Sequence, residues 1–103
     1  MKYDKVIITK SNRDKKFKAV FTGMKGEEKK KKTIHFGAKG MSDYTINKDV
    51  KRKERYLARH NDKLTGEDWS NPVTAGALSR WILWNKPTYN ASLTDFKKRF
   101  KLK

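Results

Sequence analysis

The stretch Thr74–Pro87, reading TAGALSRWILWNKP, constrains the fold more than any other part of the sequence. It holds two of the three tryptophans, and Arg80 is its only charge before Lys86. On a 3.6-residue wheel its apolar side chains form no stripe. Trp84, Ala77 and Trp81 fall on one side, Leu78, Ile82 and Ala75 on another, and Leu83 on a third. A helix that is apolar nearly all round is buried. In a chain that is 37% charged, this segment is expected to be the inside. Asn71 as N-cap and Pro72 at the first helical position start it. Pro87 disfavours helical angles in the residue before it, so the predicted helix covers about 72–84.

The rest of the chain supplies what this segment packs against. Tyr3–Thr9 alternates and is rich in β-branched residues, with Val6 and Ile8 on one face and Tyr3, Ile7 and Thr9 on the other. After a polar turn at Ser11–Lys16, Phe17, Ala19 and Phe21 oppose Lys18, Val20 and Thr22. Gly23–Lys30 reads as a second turn. Lys31–Phe36 reads as a third strand, with Ile34 and Phe36 on one side and Thr33 and His35 on the other. Period-two segments separated by polar and glycine-containing turns predict a three-stranded antiparallel meander over residues 1–38. A helix is expected from about Lys48 to Asn61, capped by Thr45 or Asn47, with Ile46, Val50 and Leu57 on its apolar face beside Tyr56 and His60. A last helix starts near Ser92, with Asp95 in its first turn and Leu93, Phe96 and Phe100 at i, i+3 and i+7. The expected fold is α+β in one domain, 1–103: the meander, then three helices within 45–100 with the middle one buried, then a flexible basic tail at 101–103.

Charge narrows the partners. Twenty-seven Lys and Arg against 11 Asp and Glu give a formal charge of +16. Self-repulsion on that scale costs stability and implies a polyanionic partner: nucleic acid first, then an anionic membrane surface or an acidic protein. There is no cysteine, which excludes disulfides, zinc–thiolate sites and thiol nucleophiles. No apolar run reaches signal-peptide or membrane-spanning length, so no transmembrane segment is expected.

Residues 41–70 carry 7 basic and 6 acidic side chains, yet that near-neutrality hides a segregated face. Lys48, Arg52, Arg55 and Arg59 follow i, i+4, i+7 and i+11, with Lys51 beside them. Cations at helical spacing can line up along a phosphate backbone and displace its counterions. Lys29, Lys30, Lys31 and Lys32 form a second group, readable as a phosphate-contacting hairpin tip, a localisation signal or a lysine-guarded edge strand. Lys97, Lys98 and Arg99 form a third, followed by Lys101 and Lys103, at a helix C-terminus whose dipole favours cations.

The remaining candidates have plainer readings. A buried Arg80 needs partners, and a salt bridge to Asp43, Asp49, Asp68 or another acid is the expectation. His35 and His60 stand without cysteine or metal-site spacing and are read as structural. Asp43, Asp49 and Glu54 are the carboxylates a metal-dependent nuclease would need, but their spacing is that of helix-start acids. GAKG at Gly37–Gly40 lacks the phosphate-loop pattern. Trp81 and Trp84 are expected in the core, leaving Trp69 and Tyr89 as the aromatics available for stacking on bases.

Five blocks then carry a resemblance: KKKTIHFGAKGMSDYTINKD (Lys30–Asp49), RYLARH (Arg55–His60), W-x-x-P-x-TAG (Trp69–Gly76), SRWILWNKPT (Ser79–Thr88) and KKRF (Lys97–Phe100). Over roughly residues 30–100 the chain resembles a family of small basic proteins of the nucleocytoplasmic large DNA viruses of algae and amoebae. Such relatives commonly have histidine before Lys-Asp where this chain has Asn47, which argues against a ligand role there. The resemblance implies a viral origin, a place in the virion or inside the infected cell, and a role near a large genome that must be neutralised. The expected function is non-enzymatic nucleic-acid binding, double-stranded DNA favoured, with no catalytic residue, cofactor, metal or small-molecule substrate. The alternative is a minor capsid or virion component whose basic surface meets acidic viral proteins or membrane; a metal-dependent nuclease comes third.

Overall fold

The computed structural model describes residues 3–60 and 68–103. Strands β1 (Lys5–Lys10), β2 (Lys15–Lys25) and β3 (Glu28–Ala38) pair antiparallel in the order β1-β2-β3. The register sets Val6 opposite Phe21, Phe17 opposite Phe36 and Ala19 opposite Ile34. All the alternating apolar side chains therefore share one face, on which Val6, Ala19, Phe21 and Phe36 are buried. The opposite face is open, and Ile7 and Met24 are exposed on it.

The second turn is much shorter than the sequence suggested. It consists of Gly26 and Glu27 alone, between paired Lys25 and Glu28, and Gly26 takes φ +65° as the first central residue of a II′-type hairpin. Lys29–Lys32 consequently belong to β3, opposite Met24, Gly23, Thr22 and Phe21. A ladder needs paired backbone rather than apolar side chains, so polar composition misleads at the solvated end of a hairpin.

The first predicted helix comes as two. Helix α1 (Tyr44–Asn47) is capped by Asp43 and α2 (Val50–Arg59) by Asp49, with Lys48 between them at φ 53°. Neither Thr45 nor Asn47 is the cap of α2; the Asn47 side-chain oxygen instead accepts from Asp49 N–H at 2.8 Å. Ile46 and Val50 are exposed, at 63% and 54%, while Lys53, Tyr56, Leu57 and His60 form the half-buried side.

The TAGALSRWILW segment is the inside, as its composition requires. Helix α3 (Ala75–Leu78) runs straight into a π-helical turn, Ser79–Leu83. Its start lies later than predicted because Thr74 is the cap, its hydroxyl accepting from Ala77 N–H, while Asn71 and Pro72 belong to the preceding turn. Helix α4 (Tyr89–Arg99) starts earlier than predicted, capped by Thr88, so Asp95 sits past its middle rather than in its first turn. Ala77, Leu78, Ile82, Leu83 and Phe96 pack with the buried sheet face into one core, which Tyr44, Trp84 and Leu102 complete.

The C-terminal tail is tied down rather than loose. Leu102 is buried, and its N–H donates to Lys97 C=O at 2.8 Å. Lys103 N–H donates to Asp4 C=O, and Val6 N–H donates to Lys103 C=O, so the tail covers part of the β1 edge. Unpaired edge groups are a ready partner for such a strand.

Candidate functional site

The cap residue Asp43 opens the account of the site. It is 2% exposed, and its carboxylate accepts from Thr45 N–H, from the Thr45 hydroxyl and from the Lys16 ammonium at 2.5 Å. This pair joins β2 to the start of α1, just past the end of β3. There Gly37, at φ +82°, brings the strand against Leu83: a Cβ on it would lie 2.9 Å from Leu83 Cδ1. The end of the sheet and the small residues Ala75, Gly76 and Ser79 of the α3 segment thus form two sides of a recess.

Helix α2 forms the third side. It buries no residue completely and is held by its half-buried face: the Tyr56 ring stacks on Trp84, 4.3 Å apart and 7° from parallel, and on His60 at 4.3 Å. Lys53 donates to Asn85 C=O at 2.7 Å and lies 5.0 Å from the Tyr44 ring centre. With that face turned inward, Arg52, Arg55 and Arg59 line a cleft of about 580 Å³. Lys15, Lys16 and both histidines line it as well, His35 held by Ser11 at 2.7 Å. Lys16 is neutralised by Asp43; among the described residues no acid pairs with Lys15, Arg52, Arg55 or Arg59. The cleft is a strongly electropositive, concave surface with an aromatic wall.

The other predicted cations lie elsewhere. Lys48, outside α2, donates to Thr45 C=O and, at 2.6 Å, to Pro87 C=O. Lys51 is exposed on α2 but does not line the cleft. Lys29–Lys32 sit at the far end of β3, roughly 20 Å along the strand from the cleft at about 3.3 Å per residue. Of these, Lys30 pairs with Glu28 at 3.1 Å. Lys97 and Lys98 lie at the end of α4, and Arg99 there is engaged by Asp95 at 3.4 Å and by the Trp81 ring at 3.9 Å. The three basic groups of the sequence are therefore three separate places, of which only the α2 arginines are gathered into a concavity.

A family of unknown function, DUF5754, matches residues 6–60, more than half of the chain. The chain belongs to that family. No curated protein and no solved structure matches it. The DUF5754 span holds all the cations and both histidines of the cleft; the α3 wall with Trp84 lies beyond it.

Arg80 departs from expectation. Asp43, Asp49 and Asp68 are already spent, on Lys16 and Thr45, on the N-terminus of α2 and on Ser70, and none of them reaches it. Its guanidinium donates to Trp84 C=O at 3.1 Å and lies over Trp81 at 4.2 Å and Trp69 at 5.4 Å, while Nε is buried without a partner. Burial, and then the charge of Arg99, push this guanidinium below its usual pKa, against the pull of Tyr56 and Asp95. Lys53 is likewise lowered, by burial first and then by Arg80 and Lys86. Trp69 and Tyr89 are not the exposed aromatics the sequence suggested. Trp69 C=O accepts from the Trp81 indole at 2.8 Å, and Tyr89 stacks on Phe17 at 5.4 Å.

Sequence reasoning missed Lys15, Lys16, Tyr56 and Trp84 as parts of one site. Lys15 and Lys16 carry no signal beyond two cations before a strand, and no periodicity links residue 16 to 43 or 56 to 84.

Proposed function

We propose that this protein binds nucleic acid without catalysing a reaction, double-stranded DNA favoured, by neutralising phosphate backbone with little sequence specificity. The observation that carries this reading is the row Arg52, Arg55 and Arg59, gathered on one helix face with no acidic partner among the described residues. Seven residues of helix rise about 10 Å, the reach of roughly three successive nucleotides of a strand. Lys51 beside that row, and the exposed lysines among Lys29–Lys32 and Lys97–Lys98, extend it as further phosphate contacts. Contacts of this kind position a duplex without reading bases. The formal charge of +16 supports the same reading. The resemblance to the large DNA virus proteins makes a viral genome the natural polyanion, in the virion or in the infected cell. The nuclease reading loses ground because Asp43 and Asp49 spend their oxygens on helix caps.

Duplex binding measured against salt tests the proposal. Neutralising about six phosphates gives a log–log slope of roughly −5. A slope near zero overturns it. The shell-component alternative draws on the open sheet face with exposed Ile7 and Met24. Ordered icosahedral density for this chain, with its basic surface against protein, would favour that alternative.

A further inference from the structure

Phosphate neutralisation along a duplex needs a flat or convex row of cations, and the α2 arginines do not offer one. They open into a recess of about 580 Å³, a volume in the small-ligand range of about 300–1,000 Å³ and too confined for a duplex backbone to enter. Two chemistries meet there. Guanidinium groups hold phosphate with paired, charge-assisted hydrogen bonds, and three of them stand on one wall. Beside them His60, Tyr56 and Trp84 form a continuous stack, the latter two rings 7° from parallel, and all three line the recess. Stacking of a base on an aromatic ring contributes about 1–3 kcal/mol regardless of base identity. Lys16 is already neutralised by Asp43, so the positive charge that remains points to a ligand at the arginine wall.

We propose that this cleft is a nucleotide site, taking the phosphate of a nucleotide on Arg52, Arg55 and Arg59 and its base against the His60–Tyr56–Trp84 stack. The ligand class rests on the nucleic-acid reading above. The nucleotide is either the 5′-phosphorylated end of a strand or free in solution, and the same phosphate and ring chemistry serves both.

The test titrates the full chain with a short 5′-phosphorylated single strand, with its 5′-hydroxyl twin, and with adenosine 5′-monophosphate and inorganic phosphate as competitors. The phosphorylated strand binds at least about tenfold tighter than its twin, as one charge-assisted bidentate contact allows. Arg55→Ala with Arg59→Ala removes that difference, and Arg55→Lys removes part of it. These positions are exposed, and an unchanged melting curve confirms that the variants fold. Competition by the monophosphate identifies a free nucleotide as a ligand; discrimination without such competition identifies the strand end. Equal binding of the twins with no competition overturns the site, and competition by inorganic phosphate as strong as by the nucleotide overturns the role of the stack. Duplex binding can fail while the twins are still discriminated, which would remove the backbone reading and keep the site; the reverse pattern does the opposite.

Discussion

Acidic residues are scarce in this protein, and the structure spends each one it places near the core on a specific task. Asp43 holds Lys16 and the first turn of α1 from a nearly dry position. Removing one partner of a buried pair leaves the other charge uncompensated, a loss of about 3–5 kcal/mol. Asp43→Asn should therefore move the denaturant midpoint by that much, and a loss below about 1 kcal/mol would show that Lys16 escapes to water instead. Asp95 works in the open by comparison. Burial pushes its carboxyl up, but the hydrogen bond from Asn85 at 2.7 Å and the charge and hydrogen bond of Arg99 outweigh that and hold it below its ordinary 3.8. A carboxyl depressed in the folded state contributes stability above its ordinary value and loses it as pH falls through the folded one. Melting temperature should drop below about pH 4, less steeply in Asp95→Asn, which starts from a lower plateau because an anionic acceptor is gone. Parallel acid limbs for the two proteins would assign the effect to other carboxylates. Arg80 shows the complement: with no acid left for it, a carbonyl and two indole faces take over, and cation–π contact of this kind is worth up to about 2 kcal/mol when desolvated.

Among the elements, the π turn explains the wheel that showed no stripe. The buried pairs are Ala77 with Leu78 and Ile82 with Leu83, five residues apart, and Trp84 N–H bonds to Ser79 C=O at the same spacing. A 3.6-residue wheel is the wrong ruler for a segment whose hydrogen bonds skip five. The apolar set was legible, and so was its burial; the face was not, because the period changes inside the element. The first helix failed differently. Its basic series was read correctly along α2, but Asp49 restarts the helix after Lys48, which removes Lys48 from the series and leaves Val50 in solvent. Gly37 links β3 to this region. At φ +82° and 2.9 Å from Leu83, a methyl group meets both backbone strain and a packed side chain, so Gly37→Ala should cost about 2–4 kcal/mol. Gly40→Ala, at φ +84° with nothing within 4 Å, carries the backbone cost alone, about 1 kcal/mol. Equal losses in the two variants, read by thermal unfolding, would mean that contact with Leu83 adds nothing.

At the scale of the molecule, the +16 charge sets the terms. The core is small, and it joins β1 to Leu102 in one cluster while most cations stay at the surface. Repulsion between them opposes folding, and raising salt from about 0.1 to 1 M shortens the screening length from about 10 to 3 Å. Melting temperature should therefore rise with sodium chloride while nucleic-acid affinity falls; a melting temperature that drops with salt would place ion pairs above repulsion. Strand alternation, the buried tryptophan segment, the last helix and the excess of cations were all readable from the chain, because each is a local pattern or a sum. The cleft was not. It exists where residues 15–16, 35–43, 52–60 and 75–84 meet, through one Asp–Lys pair and one three-ring stack. Side-chain spacing along a chain says which face a residue occupies, whereas concavity depends on how separate faces are set against one another, and that is a property of the packed core alone.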